Sequence, residues 1–269
     1  MPMRLVAVLL GLAAGESALA DSGWKELAPG VELRMLEAKP PNAEGDTGIV
    51  VLRVDPTTWR LELVGQSQSG ESSGRTAREW ARRHDLAVAI NAGMFLEDYT
   101  TPVGYLESKG RVISSRINSY QSVAAFDPRD PANRPPFRIF DLDVPGVTIE
   151  SIRADYGSLA QNLRLIKRPG SNRWSQQAER WSEAALGEDE AGRILFMFSR
   201  TPFSMHDLIR ELLEAKIGIV AAQHLEGGRL AQLYVKVGDV ELELHEGAGS
   251  ASAWPIPNVL GVTRRSAAR

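Results

Sequence analysis

The sequence predicts a strand-rich α+β fold, a mixed sheet with a few covering helices, and three observations carry that prediction. Short apolar or alternating runs recur along the chain: VELRML, GIVVLRV, WRLELVG, LAVAIN, SVAAF, FRIFDLD, VTIESI, LRLI, ILFMFS, IVAAQHL, AQLYVKV, VELELH and NVLGV. Runs of that length and period belong to strands. Two segments stand out as helices, TAREWARRH and SMHDLIRELLEAK. Each feeds directly into an apolar strand that ends in polar residues, AVAINAG after the first and GIVAAQHLEGG after the second, and that pattern implies a sheet with one face covered.

The elements follow in order. Residues 1–20, MPMRLVAVLLGLAAGESALA, have Arg4 near the start, an apolar run from Leu5 to about Ala14 and Ala18-Leu19-Ala20 before Asp21, which is the pattern of a cleaved export signal. The run falls short of the roughly 20 apolar residues that a membrane span needs. The mature chain is therefore expected to be periplasmic or secreted, starting near Asp21, with no stable membrane insertion after cleavage. In TAREWARRH, Thr76 and Glu79 have the spacing of a capping box, and Ser204 caps the second helix, whose stripe is Leu208, Ile209, Leu212 and Leu213. The Pro-rich run DPRDPANRPPF reads as a surface loop between two strands rather than a boundary, so residues 21–269 are expected to form a single domain. After RPGSNRWSQQAERWS, an irregular connection, the chain should turn back in a hairpin with EDEAG at its tip.

Composition narrows the chemistry. With 31 Lys and Arg against 34 Asp and Glu, and no long basic stripe, nucleic acid is not an expected partner. The chain has no cysteine, which removes thiol nucleophiles, thiolate zinc sites and iron–sulfur clusters. Four histidines, His84, His206, His224 and His245, include no close-spaced pair of the HExxH kind. Neither a metal nor a cofactor is expected, and carboxylates, imidazoles, hydroxyls and guanidinium groups are what remain.

Two strand ends concentrate the polar residues. Asn91 follows directly on four apolar strand positions, where its amide suits either a turn cap or a site at the sheet end. Glu226 precedes the pair Gly227-Gly228, which is ordinary hairpin chemistry and also a place where a ligand can approach the backbone closely. Among cations, Arg164 in QNLRLI and Arg200 in SRTPF could grip a phosphate bidentately or serve as solvated edge charges. His206 lies in the first turn of the second helix, where backbone N–H groups favour an anion, although a plain surface histidine suits the position too. Trp174, Trp181 and Trp254 could build a stacking wall for a sugar, or sit in exposed loops or the core.

Taken in order, AINAGMF, PVGYLESKGRV, QNLRLI with NRWS, SRTPFSMHDL running into a strand that ends LEGG, and PIPNVLGV resemble the phosphodiester glycosidase family over about Gly48 to Val262. The order and spacing of the motifs carry the resemblance. Where that family has Asn-Gly-Gly-Tyr-Phe, this chain has Asn91, Ala92, Gly93, Met94 and Phe95. Where the family has Leu-Asp-Gly-Gly followed by Gly-Ser or Ser-Ser, this chain has Leu225, Glu226, Gly227 and Gly228 followed by Arg229 and Leu230. The resemblance implies a divergent member that hydrolyses a sugar phosphodiester or related glycoside. In it Glu226, Asn91 and His206 are the catalytic candidates, and Arg164, Arg200, Gly227, Gly228, Gly93 and Asn258 the candidates for holding the sugar-phosphate or glycan substrate. The alternative is a non-catalytic glycan-binding or exopolysaccharide-handling protein on the same scaffold.

Overall fold

The structure, a computed structural model, describes residues 23–37, 48–70, 73–246 and 253–265; the export signal expected at residues 1–20 lies outside them. In chain order the first strands are β1 (Lys25–Ala28), β2 (Val31–Glu37), β3 (Gly48–Val54) and β4 (Trp59–Gly65), followed by a helical turn α1 (Gln66–Ser69) and helix α2 (Ala77–His84). Next come β5 (Val88–Asn91), β6 (Leu106–Ser108), β7 (Arg111–Ser114), β8 (Ser122–Pro128), β9 (Phe137–Asp141), α3 (Ile149–Asp155), β10 (Tyr156–Lys167) and β11 (Ser171–Asn172). The chain closes with β12 (Trp181–Asp189), β13 (Ile194–Phe203), α4 (Met205–Glu214), β14 (Ile219–Gly227), β15 (Gln232–Val237), β16 (Val240–His245) and β17 (Asn258–Arg264).

The α+β class is the one expected, and the strands divide into two sheets. A 12-stranded sheet runs β1-β2-β3-β13-β12-β14-β10-β6-β7, with β8, β9 and β11 attached through β10; a 5-stranded sheet runs β16-β15-β5-β17-β4. Every strand pair among the described residues is antiparallel. The two helix–strand units therefore feed different sheets: α2 leads into β5 of the smaller one and α4 into β14 of the larger.

Alternation along the strands explains the layering. In β5, Val88 and Ile90 enter the core between the sheets, whereas Ala89 faces α2, where Trp80 and Ala81 cover it. In β14, Ala221 and Leu225 join the same inter-sheet core, whereas Ile219 and Ala222 face α4 and its Leu208, Ile209 and Leu212. The capping box at Thr76 and Glu79 forms as expected, and Ser204 accepts the N–H of Asp207. VTIESI, which reads as a strand, is instead the start of α3. Thr148 and Ser151 form a reciprocal cap in which each side chain accepts the other's backbone N–H, and that local bonding outweighs the β preference of the branched residues. The Pro-rich run joins β8 to β9, and the EDEAG segment turns between β12 and β13.

Candidate functional site

Glu226 owes its position to an irregularity in β14. In the ladder with β12, Ala184 stands opposite Glu226 and Ala185 opposite His224, so Leu225 is an extra residue. Ala184 belongs to the inter-sheet core and Ala185 to the α4 side. Cross-strand partners share a face, so the bulge turns Glu226 to the inter-sheet side while His224, two residues earlier, stays on the other. The Glu226 carboxylate accepts the N–H of Gly227 at 3.0 Å, and no cation among the described residues pairs with it. Burial pushes its pKa up to about 7; the Gly227 N–H and His224 pull it back, and Glu183 adds to the rise.

On the α4 side, His224 Nδ1 and Glu183 Oε1 lie 2.6 Å apart, and Glu183 Oε2 accepts the indole N–H of Trp181 at 3.1 Å. Burial raises the pKa of Glu183 against the pull of His224. Burial alone would lower His224, but the neighbouring Glu183 more than offsets it and the imidazole is pushed up. Neither residue stood out as a site candidate in the sequence. The signal available was QHLE, a polar stretch in a strand that is otherwise apolar.

Beyond Glu226 the chain passes close to Trp181. A side chain at Gly227 would place its Cβ 2.5 Å from the indole Cδ1, so only glycine lets the ring seat there. Ser182 Oγ donates to the carbonyl of Gly228, and Gly228 itself has φ +64° before a 3₁₀ turn, Gly228–Leu230.

Asn91, at the end of β5, holds the far side of this loop. Its Nδ2 donates to the Leu230 carbonyl at 3.0 Å and its Oδ1 accepts the Gln232 N–H at 2.7 Å. The amide is buried and both its ends are engaged with backbone, so Asn91 acts as a clamp on the loop that carries Glu226. Asn258 begins β17 beside it, with Val259 opposite Asn91, and the Ala92 N–H donates to the Asn258 carbonyl.

A cleft opens at this end of both sheets, lined among others by Gly93, Phe95, Gln161, Asn162 and Asn258 and by no charged side chain. Asn162 spans it. It is the residue next to Leu163, which pairs with His224 on β14, and its Nδ2 donates to the Ala92 carbonyl at 3.1 Å. A Cβ on Gly93 would lie 2.2 Å from Asn162 Oδ1, so glycine is what admits this contact between the sheets.

The structure thus gathers Asn91, Gly93 and Asn258 at one strand end and Glu226, Gly227 and Gly228 at another, joined by the Asn91 clamp and by Asn162. The remaining candidates sit in other surroundings. Arg164 pairs with Asp141 at 3.3 Å and with Asp143 at 2.9 Å. Arg200 donates from Nε to the His245 carbonyl. His206 lies on α4, its Nδ1 3.8 Å from the Asp207 carboxylate. Of the sequence candidates only Gly93 and Asn258 line the cleft; these three do not, and neither do Asn91, Glu226, Gly227 or Gly228. Trp174 donates to the Arg164 carbonyl and, like Trp181, packs against the α4-side core, whereas Trp254 is exposed. Among the described residues, no group of three or more His, Asp or Glu side chains is arranged to hold a metal ion.

A model of the phosphodiester glycosidase family matches residues 84–263. The chain belongs to the phosphodiester glycosidase family. The matched span includes both strand ends described above, and the family resemblance read from the sequence is borne out over it, although the match begins at residue 84 and not near Gly48. Solved structures share the fold at low identity. A Synechocystis protein is 16% identical with a TM-score of 0.61, covering 88% of this chain, which spans 62% of the length of that one. The catalytic domain of zebrafish N-acetylglucosamine-1-phosphodiester alpha-N-acetylglucosaminidase, auto-inhibited by its pro-peptide, is 14% identical with a TM-score of 0.61, over 88% of this chain and 89% of that one. A Burkholderia pseudomallei protein described as exported is 13% identical with a TM-score of 0.52, over 80% and 73%. No curated protein matches this chain in sequence.

Proposed function

We propose that this protein is an exported hydrolase that cleaves a sugar phosphodiester or a related glycoside, with Glu226 as its proton-handling carboxylate. The observation that carries the reading is Glu226 itself: a largely buried carboxyl, without a cation partner among the described residues, whose pKa of about 7 lets it take up a proton at neutral pH. Water adds to the anomeric carbon, the bond from that carbon to the phosphate oxygen breaks, the phosphate monoester leaves with the bonding pair, and the proton of the water passes to Glu226. A phosphate needs little protonation to leave, so one carboxylate suffices where ordinary glycoside hydrolysis uses two. Asn91 and Gly227 hold the loop, and the neutral amide-lined cleft beside Gly93 and Asn258 suits sugar hydroxyls. The zebrafish neighbour is named for N-acetylglucosamine 1-phosphodiesters, which makes that sugar the first to test.

The signal-like pattern of residues 1–20 supports export to the periplasm or medium, as does the neighbour described as exported. Among the described residues no helix is long and apolar enough to cross a membrane. The test of the reaction is the pH dependence of turnover of a sugar 1-phosphodiester. A base that must be ionised gives a rate that climbs with pH up to about 7 and then levels. A rate that is flat across that range, or falls through it, removes Glu226 as the base.

A further inference from the structure

The sequence-derived phosphate grips, Arg164 and Arg200, are engaged with protein partners, so a phosphodiester needs another cation. Arg229 meets the requirement. It is exposed, in the turn three residues beyond Glu226, which keeps the two Cα atoms within about 11 Å of each other. Its guanidinium carbon stands 5.5 Å from the ring centroid of Trp254. Among the described residues no carboxylate, carbonyl or amide takes a hydrogen bond from it.

The mount of this pair is rigid. Asn91 fixes the turn at Leu230 and Gln232, and Gln232 Nε2 in turn donates to the Trp254 carbonyl at 2.6 Å while its Oε1 accepts the Ala77 N–H. Two residues on, Trp80 donates to the Ile256 carbonyl. The Trp254 indole is 45% exposed on that backbone, with its ring within reach of the Arg229 guanidinium. A guanidinium over an aromatic ring is held by its face, which leaves the N–H donors on its edge directed at a ligand. The same hydrogen-bonded frame thus carries Glu226 on one side of the turn and Arg229 on the other.

We propose that Arg229, propped on Trp254, is the anion subsite of the Glu226 site and takes the phosphoryl oxygens of a sugar phosphodiester; the assignment of the ligand rests on the hydrolase reading above. Arg229 is the binding residue and Trp254 the positioning residue.

The test is calorimetric binding of three probes, the α-1-phosphates of glucose, mannose and N-acetylglucosamine, with the matching neutral methyl glycosides as controls. Wild-type protein should bind at least one of the phosphates, more weakly as salt is raised. Arg229→Ala should lose about tenfold or more in affinity, and with it most of the salt dependence, while binding of the neutral glycoside is unchanged. Trp254→Ala should lose part of the affinity and Trp254→Phe, which keeps a ring face, should recover it. Wild-type affinity in Arg229→Ala or Trp254→Ala overturns the proposal, as does a wild type that binds none of the three phosphates. Because the probes are bound and are not phosphodiesters to be cleaved, the result is independent of turnover. A catalytically silent role for Glu226 would leave this subsite on a sugar-phosphate-binding protein, and unchanged binding in Arg229→Ala would leave Glu226 untouched.

Discussion

Replacing Glu226 by Gln should make the folded protein more stable, and only above mildly acidic pH. The carboxyl is raised from its ordinary 4.5 to about 7 because burial outweighs the pull of the Gly227 N–H and of His224. Below about pH 4.5 it is protonated in both the folded and unfolded chains and contributes no penalty. As the pH rises the unfolded chain ionises first, so folding is opposed by a term that grows until the folded carboxyl also ionises near 7, then stays constant. A difference of about 2.5 pH units corresponds to about 3 kcal/mol at the plateau, and residual exposure of the carboxyl makes that an upper value. Gln keeps the acceptor for the Gly227 N–H and has no charge to bury. Urea unfolding of both proteins at several pH values isolates the effect as the difference between them. The expected result is nearly equal stability at about pH 4.5 and a variant more stable by about 1–3 kcal/mol at about pH 8. A difference that does not change with pH refutes the reasoning, since Glu226 would then titrate alike in the folded and unfolded chains.

Three further substitutions probe the frame around it. Asn91→Ala removes both bonds to the Leu230–Gln232 segment and leaves a buried N–H without its acceptor, so the protein should lose about 2–3 kcal/mol in urea unfolding and the loop amides should exchange faster with deuterium. Gly93→Ala places a methyl 2.2 Å from Asn162 Oδ1 at φ +150° and should destabilise by about 1–3 kcal/mol; a neutral result would mean that Asn162 is free to move away. Glu183→Gln removes the charge that keeps His224 high, so burial should take over and the imidazole resonances should titrate at lower pH than in the wild type.

The strand pattern, both capped helices and the EDEAG hairpin were legible because each is a local signal: period-two alternation, a capping box, a turn sequence. The Gly227-Gly228 turn, which reads as hairpin chemistry, instead carries the chain from one sheet to the other, since β14 and β15 do not pair. The division into two sheets was not, since an apolar strand such as AVAIN looks the same whichever sheet receives it; only the long-range pairing of β5 with β15 and β17 decides it. Local chemistry also misled where two signals competed, as in VTIESI, whose Thr148–Ser151 cap turns a branched run into a helix. At the site, Asn91, Glu226 and the glycines were visible as polar punctuation at strand ends. The cations were chosen by residue type and proximity to strands, and sequence carries no record that Asp141 and Asp143 already occupy Arg164. The bulge at Leu225, which separates Glu226 from His224 by a face of the sheet, is a register property that appears only once β14 is laid against β12.

The central claim is that Glu226 does the proton chemistry, and turnover by the Glu226→Gln variant tests it most directly. With an N-acetylglucosamine or other sugar 1-phosphodiester that the wild type hydrolyses, the account predicts a fall in kcat of at least about a hundredfold, in a protein whose unfolding shows it to be fully folded. Turnover within a few-fold of wild type in that folded variant would contradict the account and leave the carboxylate as an element of the turn.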